Sequence, residues 1–278
     1  MVVKKFADDT KLGKVVESAR DCEEFQICLD KMVQWSDKWG MSFNISKCKV
    51  MHLGRKNGEY QYTMGGQRLS KTESERDIGV TANNNAKPSA QCAKAVKSAS
   101  VVLGQIARAF SYRDKKNFLR LYMQYVRPHL EFAVQAWSPW LVKDVEVLEK
   151  VLKKSVNMIG GLQGHTYEEK LKEIGLMSLV DRRREADLML AYKVLNGHTK
   201  VDQETWFKRT AQGTAIHNTR AEADSSRLVK PRSKIETRSN FYFQRMVDEW
   251  NALPESIRMS KTVGSFKQAL RKSLEQPS

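Results

Sequence analysis

The chain has 278 residues, of which 41% are hydrophobic and 29% are charged, a composition typical of a folded protein rather than a disordered one. No apolar run approaches the roughly 18 residues that a membrane-spanning helix needs, so the sequence predicts no association with a membrane. The net charge of +16 indicates an anionic partner, most often nucleic acid.

The amino terminus and the cysteines indicate where in the cell the protein is located. The start, Met1-Val-Val-Lys-Lys-Phe, contains two lysines but lacks the apolar block and cleavage site of a signal peptide. We therefore expect an intracellular protein, in the nucleus, the cytoplasm or both. Neither zinc-ligand nor disulfide-framework spacing is found among the cysteines Cys22, Cys28, Cys48 and Cys92. We assign no histidine to a metal, and we expect no small-molecule cofactor.

The first 85 residues predict a small α+β domain. Residues 2–16 form a strand, an acidic turn over 7–10 and a return strand, and an amphipathic helix follows over about 18–39, ended by Gly40. Alternating residues predict strands in 41–44 and 48–53, a strand pair around the turn Gly65-Gly66, and a strand centred on Ile78-Gly-Val-Thr.

The rest of the chain is predicted to be helical. A domain over 86–196 begins with a helix from Ala86 to Phe110, followed by a helix that Asp114 caps and Pro128 ends. Further helices are expected near 143–159, 167–174 and 179–196. We interpret 197–237 as a weakly ordered polar linker and 238–278 as a helical tail.

The positive charge is concentrated in one part of the chain. From Gly40 to Arg127 there are 16 Lys and Arg against 5 Asp and Glu. Aromatic residues interleave with these cations, as contacts to nucleic-acid bases and backbone require, although several stand at the helical spacing that core packing also produces. A basic surface that serves only solubility is the alternative interpretation.

Asp8 and Asp9 are the candidate catalytic residues. Two adjacent carboxylates at a hairpin tip point at one place, where Mg²⁺ ions can bind the attacking hydroxyl and the leaving group of a nucleotidyl transfer. An Asp-Asp pair alone is a weak signal, because a solvated turn has the same composition. The segments that follow the pair give it context.

The segment Phe6-Ala-Asp-Asp-Thr-Lys-Leu resembles the catalytic hairpin of reverse transcriptases, in the form common to non-LTR retrotransposons. Four further segments resemble that family in its order, so that the resemblance covers nearly the whole chain, and the later ones are similar to CR1- and jockey-like elements. They are Trp35 to Lys49 with Asn-Ile-Ser-Lys-Cys, Tyr62 to Val80 with Arg76-Asp-Ile-Gly-Val, Phe118 to Pro139 with Val-Arg-Pro and Trp-Ser-Pro, and Arg245 to Lys267 with Trp250-Asn-Ala-Leu-Pro.

The resemblance implies a fold and residue roles. The α+β part would be a partial palm and the helices after it a thumb, acting on an RNA template and an RNA–DNA hybrid. Asp8 and Asp9 would bind Mg²⁺, and Lys47 would lie near the incoming triphosphate. The primer end would meet Met64, Gly65, Gly66 and Gln67, and phosphates would meet Lys94, Lys97, Arg108, Arg113, Lys115 and Lys116.

The departures from the family pattern matter for activity. The family has a third catalytic aspartate and the fingers upstream of the hairpin, but here only five residues precede Phe6. We therefore expect the C-terminal part of an RNA-directed DNA polymerase that does not polymerise by itself. Two alternatives stay open: a non-catalytic module that binds RNA or RNA–DNA hybrid, and an unselected reading frame whose product is unstable.

Overall fold

The computed structural model describes residues 1–54, 57–210 and 226–275. The fold is α+β with helices predominating, as the sequence predicted. It consists of two compact units, Met1–Ala86 and Lys87–Ser278. The first unit carries every strand of the described residues, and the second is built from helices.

Unit 1 (Met1–Ala86) combines one long helix with short strands. Helix α1 spans Ala19–Lys38. In the described residues the strands pair only two by two: β1 with β2, β4 with β5 and β7 with β8 antiparallel, and β3 with β6 parallel. Their bounds are β1 Val2–Phe6, β2 Asp9–Gly13, β3 Lys49–Val50, β4 Thr63–Met64, β5 Gln67–Arg68, β6 Ser70–Lys71, β7 Ser74–Asp77 and β8 Val80–Asn83.

Helix α1 organises the small core of unit 1. Ser18 caps its start, because the Ser18 hydroxyl accepts from the Asp21 N–H while the Asp21 carboxylate accepts from the Ser18 N–H, a reciprocal capping box. The Gln26 side chain donates to the Thr63 carbonyl and accepts from the Thr63 N–H, both at 2.9 Å. It therefore satisfies the backbone at the start of β4 as a neighbouring strand would. The core comprises Leu29, Tyr62, Met64 and Leu69.

Two predicted strands of unit 1 are wrong. Residues 41–44 form no strand, and the 3₁₀ turn Ile45–Lys47 follows them directly. Ile78 and Gly79, predicted at a strand centre, form the two-residue loop between β7 and β8. Both have positive φ, 44° and 84°, as tight hairpin loops require. Glycine next to an apolar residue fits a loop as well as a strand, and only cross-strand pairing distinguishes the two.

Unit 2 (Lys87–Ser278) contains the remaining helices. The helices predicted after Asp114 and near 143–159, 167–174 and 179–196 are confirmed, with bounds that differ by a few residues. The bounds are α2 Ser89–Ala109, α3 Lys115–Leu121, α4 Arg127–Glu131, α5 Val134–Trp137, α6 Val142–Asn157, α7 Tyr167–Ile174, α8 Leu179–Leu195, α9 Gln203–Trp206, α10 Glu236–Ser239, α11 Tyr242–Ala252, α12 Glu255–Arg258 and α13 Val263–Glu275. None of the helices described is long and apolar enough to cross a membrane.

Pro128 does not end the helix that Asp114 begins, contrary to the prediction. It lies in the first turn of α4, where a backbone N–H has no partner within the helix, so the missing N–H of proline costs no hydrogen bond. The preceding Tyr122–Val126 segment widens into a π turn, in which the Arg127 N–H bonds to the Tyr122 carbonyl five residues back. This wider turn lets the chain continue as helix past a proline.

The predicted tail packs against the preceding helices. Tyr192 of α8 stacks on Phe266 of α13 with ring centroids 4.3 Å apart, and Trp250 of α11 lies 5.9 Å from the same ring. Part of the predicted linker also belongs to this core. Phe207 and Leu228 are buried in it. These two apolar side chains lie in a segment whose other residues are mostly polar, which is why the segment as a whole resembles a linker. Residues 211–225 of that linker lie outside the described residues.

Candidate functional site

The two candidate catalytic carboxylates lie at the tip of a β-hairpin. Phe6 pairs with Asp9, so that Ala7 and Asp8 form a two-residue loop with Ala7 at a φ of 53°. The loop is shorter than the predicted turn over 7–10, because Asp9 and Thr10 already belong to β2. Asp8 and Asp9 are both exposed. A hairpin this tight holds two neighbouring carboxylates at one end of the ribbon.

Contacts within unit 1 hold the hairpin in place. Leu12 of β2 packs against the core of that unit. The Lys5 ammonium lies 5.9 Å from the ring centroid of Trp35 on α1, a cation–π distance. Lys11 pairs with Asp77 at the end of β7. The ribbon is thus attached through side chains, while all residues of β1 remain exposed.

The donor set decides what metal chemistry the hairpin can support. Mg²⁺ takes hard oxygen ligands, commonly one or two protein carboxylates with phosphates and water completing its shell. Within the described parts of the chain, no group of three or more His, Cys, Asp or Glu side chains could hold a metal ion. Asp8 and Asp9 therefore fit a Mg²⁺ ion that a bound phosphate also ligates, and do not fit one held by protein groups alone.

The predicted nucleotide and primer contacts come from adjacent turns. Lys47 is exposed in the turn Ile45–Lys47. Gly65 and Gly66, with φ values of 55° and 74°, form the loop between β4 and β5. A Cβ on Gly65 would lie 3.1 Å from the Ile45 Cδ1 atom, so a side chain there would press on the turn that carries Lys47.

Met64 and Gln67, the other two predicted primer contacts, differ in accessibility. Gln67 is exposed beside the glycine loop. Met64 is only 4% exposed and belongs to the unit 1 core. Its side chain therefore serves packing, and the structure does not offer it to a ligand. The alternation of β4 turns Met64 inward, a direction that the glycines next to it in sequence do not reveal.

Helix α2 carries three of the predicted phosphate contacts on one side. Lys94, Lys97 and Arg108 are exposed. Lys97 and Arg108 are about three helical turns apart and share a face. The buried residues of α2 form the opposite stripe; they are Gln91, Cys92, Ala95, Ala99, Leu103 and Ile106. Packing of that stripe consequently directs the three cations into solvent.

The remaining three predicted contacts have different environments. Arg113 is half-buried and its guanidinium donates to the Ala107 carbonyl at 2.8 Å, so it braces the loop between α2 and α3. Lys115 pairs with Glu173 of α7 at 2.8 Å. Lys116 is exposed. Of these three, Lys116 is the one that the structure presents without a structural task.

A buried set of charges in unit 2 has no counterpart in the predictions. Asp187 of α8 accepts two hydrogen bonds from Arg245 of α11, at 2.9 and 3.1 Å. Burial raises the pKa of Asp187 to about 6, while Arg245 acts in the opposite direction. Burial also lowers the pKa of the neighbouring Arg183. The run Asp-Arg-Arg-Arg-Glu-Ala-Asp in α8 resembles a solvated helix face in sequence, so nothing in it signalled burial.

Comparisons with known proteins add no assignment. The chain matches no protein-family model, no curated protein and no solved structure.

Proposed function

We propose that the chain is a nucleic-acid-binding protein whose ligands are RNA and RNA–DNA hybrids. More specifically, it corresponds to the region from the catalytic hairpin onward of a non-LTR retrotransposon reverse transcriptase, an RNA-directed DNA polymerase. Unit 1 would be the partial palm and the helices of unit 2 the thumb and tail. By itself this polypeptide binds but does not polymerise.

The observation that carries the proposal is the pair Asp8 and Asp9 at a hairpin tip. The hairpin shares one compact unit with α1 and with the glycine loop at Gly65-Gly66. This unit contains the first three of the five segments that carry the resemblance. The cationic face of α2 supports the binding part of the proposal, since Lys and Arg contacts to phosphates supply most sequence-independent affinity.

Each group has a distinct role in the proposed ancestral reaction. Asp8 and Asp9 would hold Mg²⁺, which when bound stabilises charge on the transferring phosphate. Lys47 would contact the triphosphate. The Gly65-Gly66 loop, having no side chains, would allow the backbone to approach the primer end. Lys97 and Arg108 would contact the backbone phosphates of the duplex.

The proposed lack of activity follows from the donor set. Phosphoryl-type transfer depends almost entirely on positioning and on charge stabilisation. Two exposed carboxylates leave a metal ion with few fixed ligands. An in-line arrangement of hydroxyl and triphosphate then lacks a rigid frame.

A second candidate function is a non-catalytic module that binds RNA or RNA–DNA hybrid through unit 2. The observation that favours it is that the exposed cations of α2 lie on the face opposite its buried stripe. That surface needs neither Asp8 nor Asp9. The two candidates predict the same binding and differ in what the carboxylates contribute.

Binding and primer extension test the proposal together. Fluorescence anisotropy with a labelled RNA–DNA hybrid should show an affinity that falls steeply from low to physiological salt, with little dependence on base sequence. The double variant K97Q/R108Q should reduce the salt slope by about one to two. K150Q/K154Q is the matched control, because it removes the same charge from exposed positions of α6. A flat salt response, or equal losses in both doubles, would refute the proposed interface.

Primer extension with Mg²⁺ tests the proposed lack of activity. We expect no nucleotide incorporation by the 278-residue chain. Incorporation that disappears in D8A but persists in D37N, which changes an exposed carboxylate of α1, would show that the carboxylate pair is catalytically competent. That result would overturn the proposed inactivity and exclude the non-catalytic module.

A further inference from the structure

The loop between α2 and α3 exposes two aromatic side chains. Tyr112 is 83% exposed, more than any other aromatic residue that the structure describes, and Phe110 is 47% exposed. Single apolar residues on a surface are common. Two aromatic residues separated by one serine, on a single loop of a charged surface, form a less usual feature.

The backbone of this loop is fixed at both ends. The Phe110 N–H continues the α2 ladder to the Ile106 carbonyl at 3.0 Å. The Arg113 guanidinium donates to the Ala107 carbonyl at 2.8 Å, and the Arg113 carbonyl accepts from the Gly160 N–H at 2.9 Å. These bonds hold the backbone on both sides of Tyr112. Binding of a ligand to the Tyr112 ring therefore costs little conformational entropy of the loop.

The sequence on both sides of the aromatic pair is cationic. Arg108 and Lys116 are exposed on either side of the loop in sequence. The nearest carboxylate in sequence, that of Asp114, already accepts from the Asn117 N–H and side-chain amide at 3.0 and 2.8 Å. Glu173 is paired with Lys115. The loop therefore exposes two rings between two exposed cations in sequence, a combination that suits a base and its phosphates.

We propose that Phe110 and Tyr112 form a base-stacking site for single-stranded nucleic acid, with Arg108 and Lys116 contacting the adjoining phosphates. The proposal deepens the proposed function and rests on it. Stacking on an aromatic ring requires a free base face, which a single strand has and the interior of a duplex does not. The site therefore takes an unpaired segment of the template or displaced strand, while the cations of α2 serve duplex and single strand alike.

The test uses the full chain and single-stranded oligonucleotides that contain 2-aminopurine, in RNA and DNA forms. Tyr112→Ala should weaken single-strand binding about 5- to 150-fold, the range for losing one base stack, with duplex binding unchanged. It should also reduce the fluorescence quenching of 2-aminopurine that stacking produces. Tyr112→Phe keeps the ring and should bind as the wild type does.

Tyr125→Ala is the matched control, because Tyr125 is also exposed, at 55%, but lies in the π turn. If the wild type binds with a steep salt slope and the two alanine variants bind equally well, the stacking site is wrong and the proposed function stands. If the wild type binds no nucleic acid at any salt concentration, both fail. Loss of duplex and single-strand binding together in Tyr112→Ala would indicate a general surface role and would also overturn the stacking site.

Discussion

Units 1 and 2 differ in the number of sequence motifs they carry and in the extent of their buried cores. Unit 1 carries the segments that resemble a polymerase site, yet the strands that the structure describes in it pair only two by two, around a core of four buried residues. Unit 2 carries few motifs, yet it buries a long apolar cluster and several charges. Two-stranded sheets are marginally stable alone. The proposed metal-binding residues thus lie in the unit with the less extensive core, and the proposed binding surfaces of α2 and of the loop after it lie in the other unit.

Removing one phenylalanine ring from each unit should give the largest contrast. Phe266 is 0% exposed and stacks on Tyr192, so Phe266→Ala should lower the free energy of unfolding of unit 2 by about 3–5 kcal/mol. Phe6 is 61% exposed, and Phe6→Ala should change stability by less than about 0.5 kcal/mol. Chemical denaturation followed by circular dichroism measures both. A large loss of stability in Phe6→Ala would show that the Phe6 side chain is buried in solution.

The Asp187–Arg245 pair should give the next effect, and it should depend on pH. Arg245→Met leaves the buried Asp187 carboxylate unpaired, which should cost about 3 kcal/mol at pH 7.5. The pKa of Asp187 is already raised by burial, and removing Arg245 raises it further. A group with a raised folded-state pKa contributes stability that is present at acid pH and lost as pH rises. The cost of the variant should therefore shrink at pH 5, where Asp187 is neutral.

Lys230→Met is the control for this pH dependence. It removes an exposed pair with Asp248 and should change stability by less than about 1 kcal/mol. Urea denaturation at pH 5 and pH 7.5 compares the two variants. An Arg245→Met cost that is the same at both pH values would contradict the burial of an ionised Asp187.

Matched helix caps should give the smallest effect. Ser18 caps α1 in unit 1 and Ser178 caps α8 in unit 2, each accepting from the N–H three residues on. Replacing either serine by alanine should cost about 1 kcal/mol. We expect Ser18→Ala to increase amide hydrogen exchange throughout unit 1, because its core is small, and Ser178→Ala to affect only the first turn of α8. Equal local effects would mean that the two units are comparably stable.

The effect of Ser18→Ala should also depend on pH. Hydrogen bonds from Ser18 and from the Glu17 N–H lower the pKa of Asp21 to about 2. A lowered carboxyl pKa contributes stability that is lost as pH falls through the folded-state value. The difference between Ser18→Ala and wild type should therefore decrease from pH 5 towards pH 2. Hydrogen exchange measured at both pH values tests this.

Local patterns in the sequence determined a large part of the fold. The helical spacing of Cys22, Phe25 and Leu29 located α1, and Asp114 was correctly identified as a cap, because amphipathic periods and capping groups act over one or two turns. The acidic pair at a hairpin and the glycine loop at Gly65-Gly66 were also predictable, since tight loops need particular residues at particular positions.

Only the tertiary structure decided which polar and apolar residues are covered. Met64 turns into the core, and Asp187 is buried against Arg245, although neither position differs in local pattern from its exposed neighbours. Ile78-Gly79 became a loop because β7 and β8 pair with each other. Burial depends on partners distant in sequence, such as α11 for α8. A local pattern specifies the period of an element but not what packs against it.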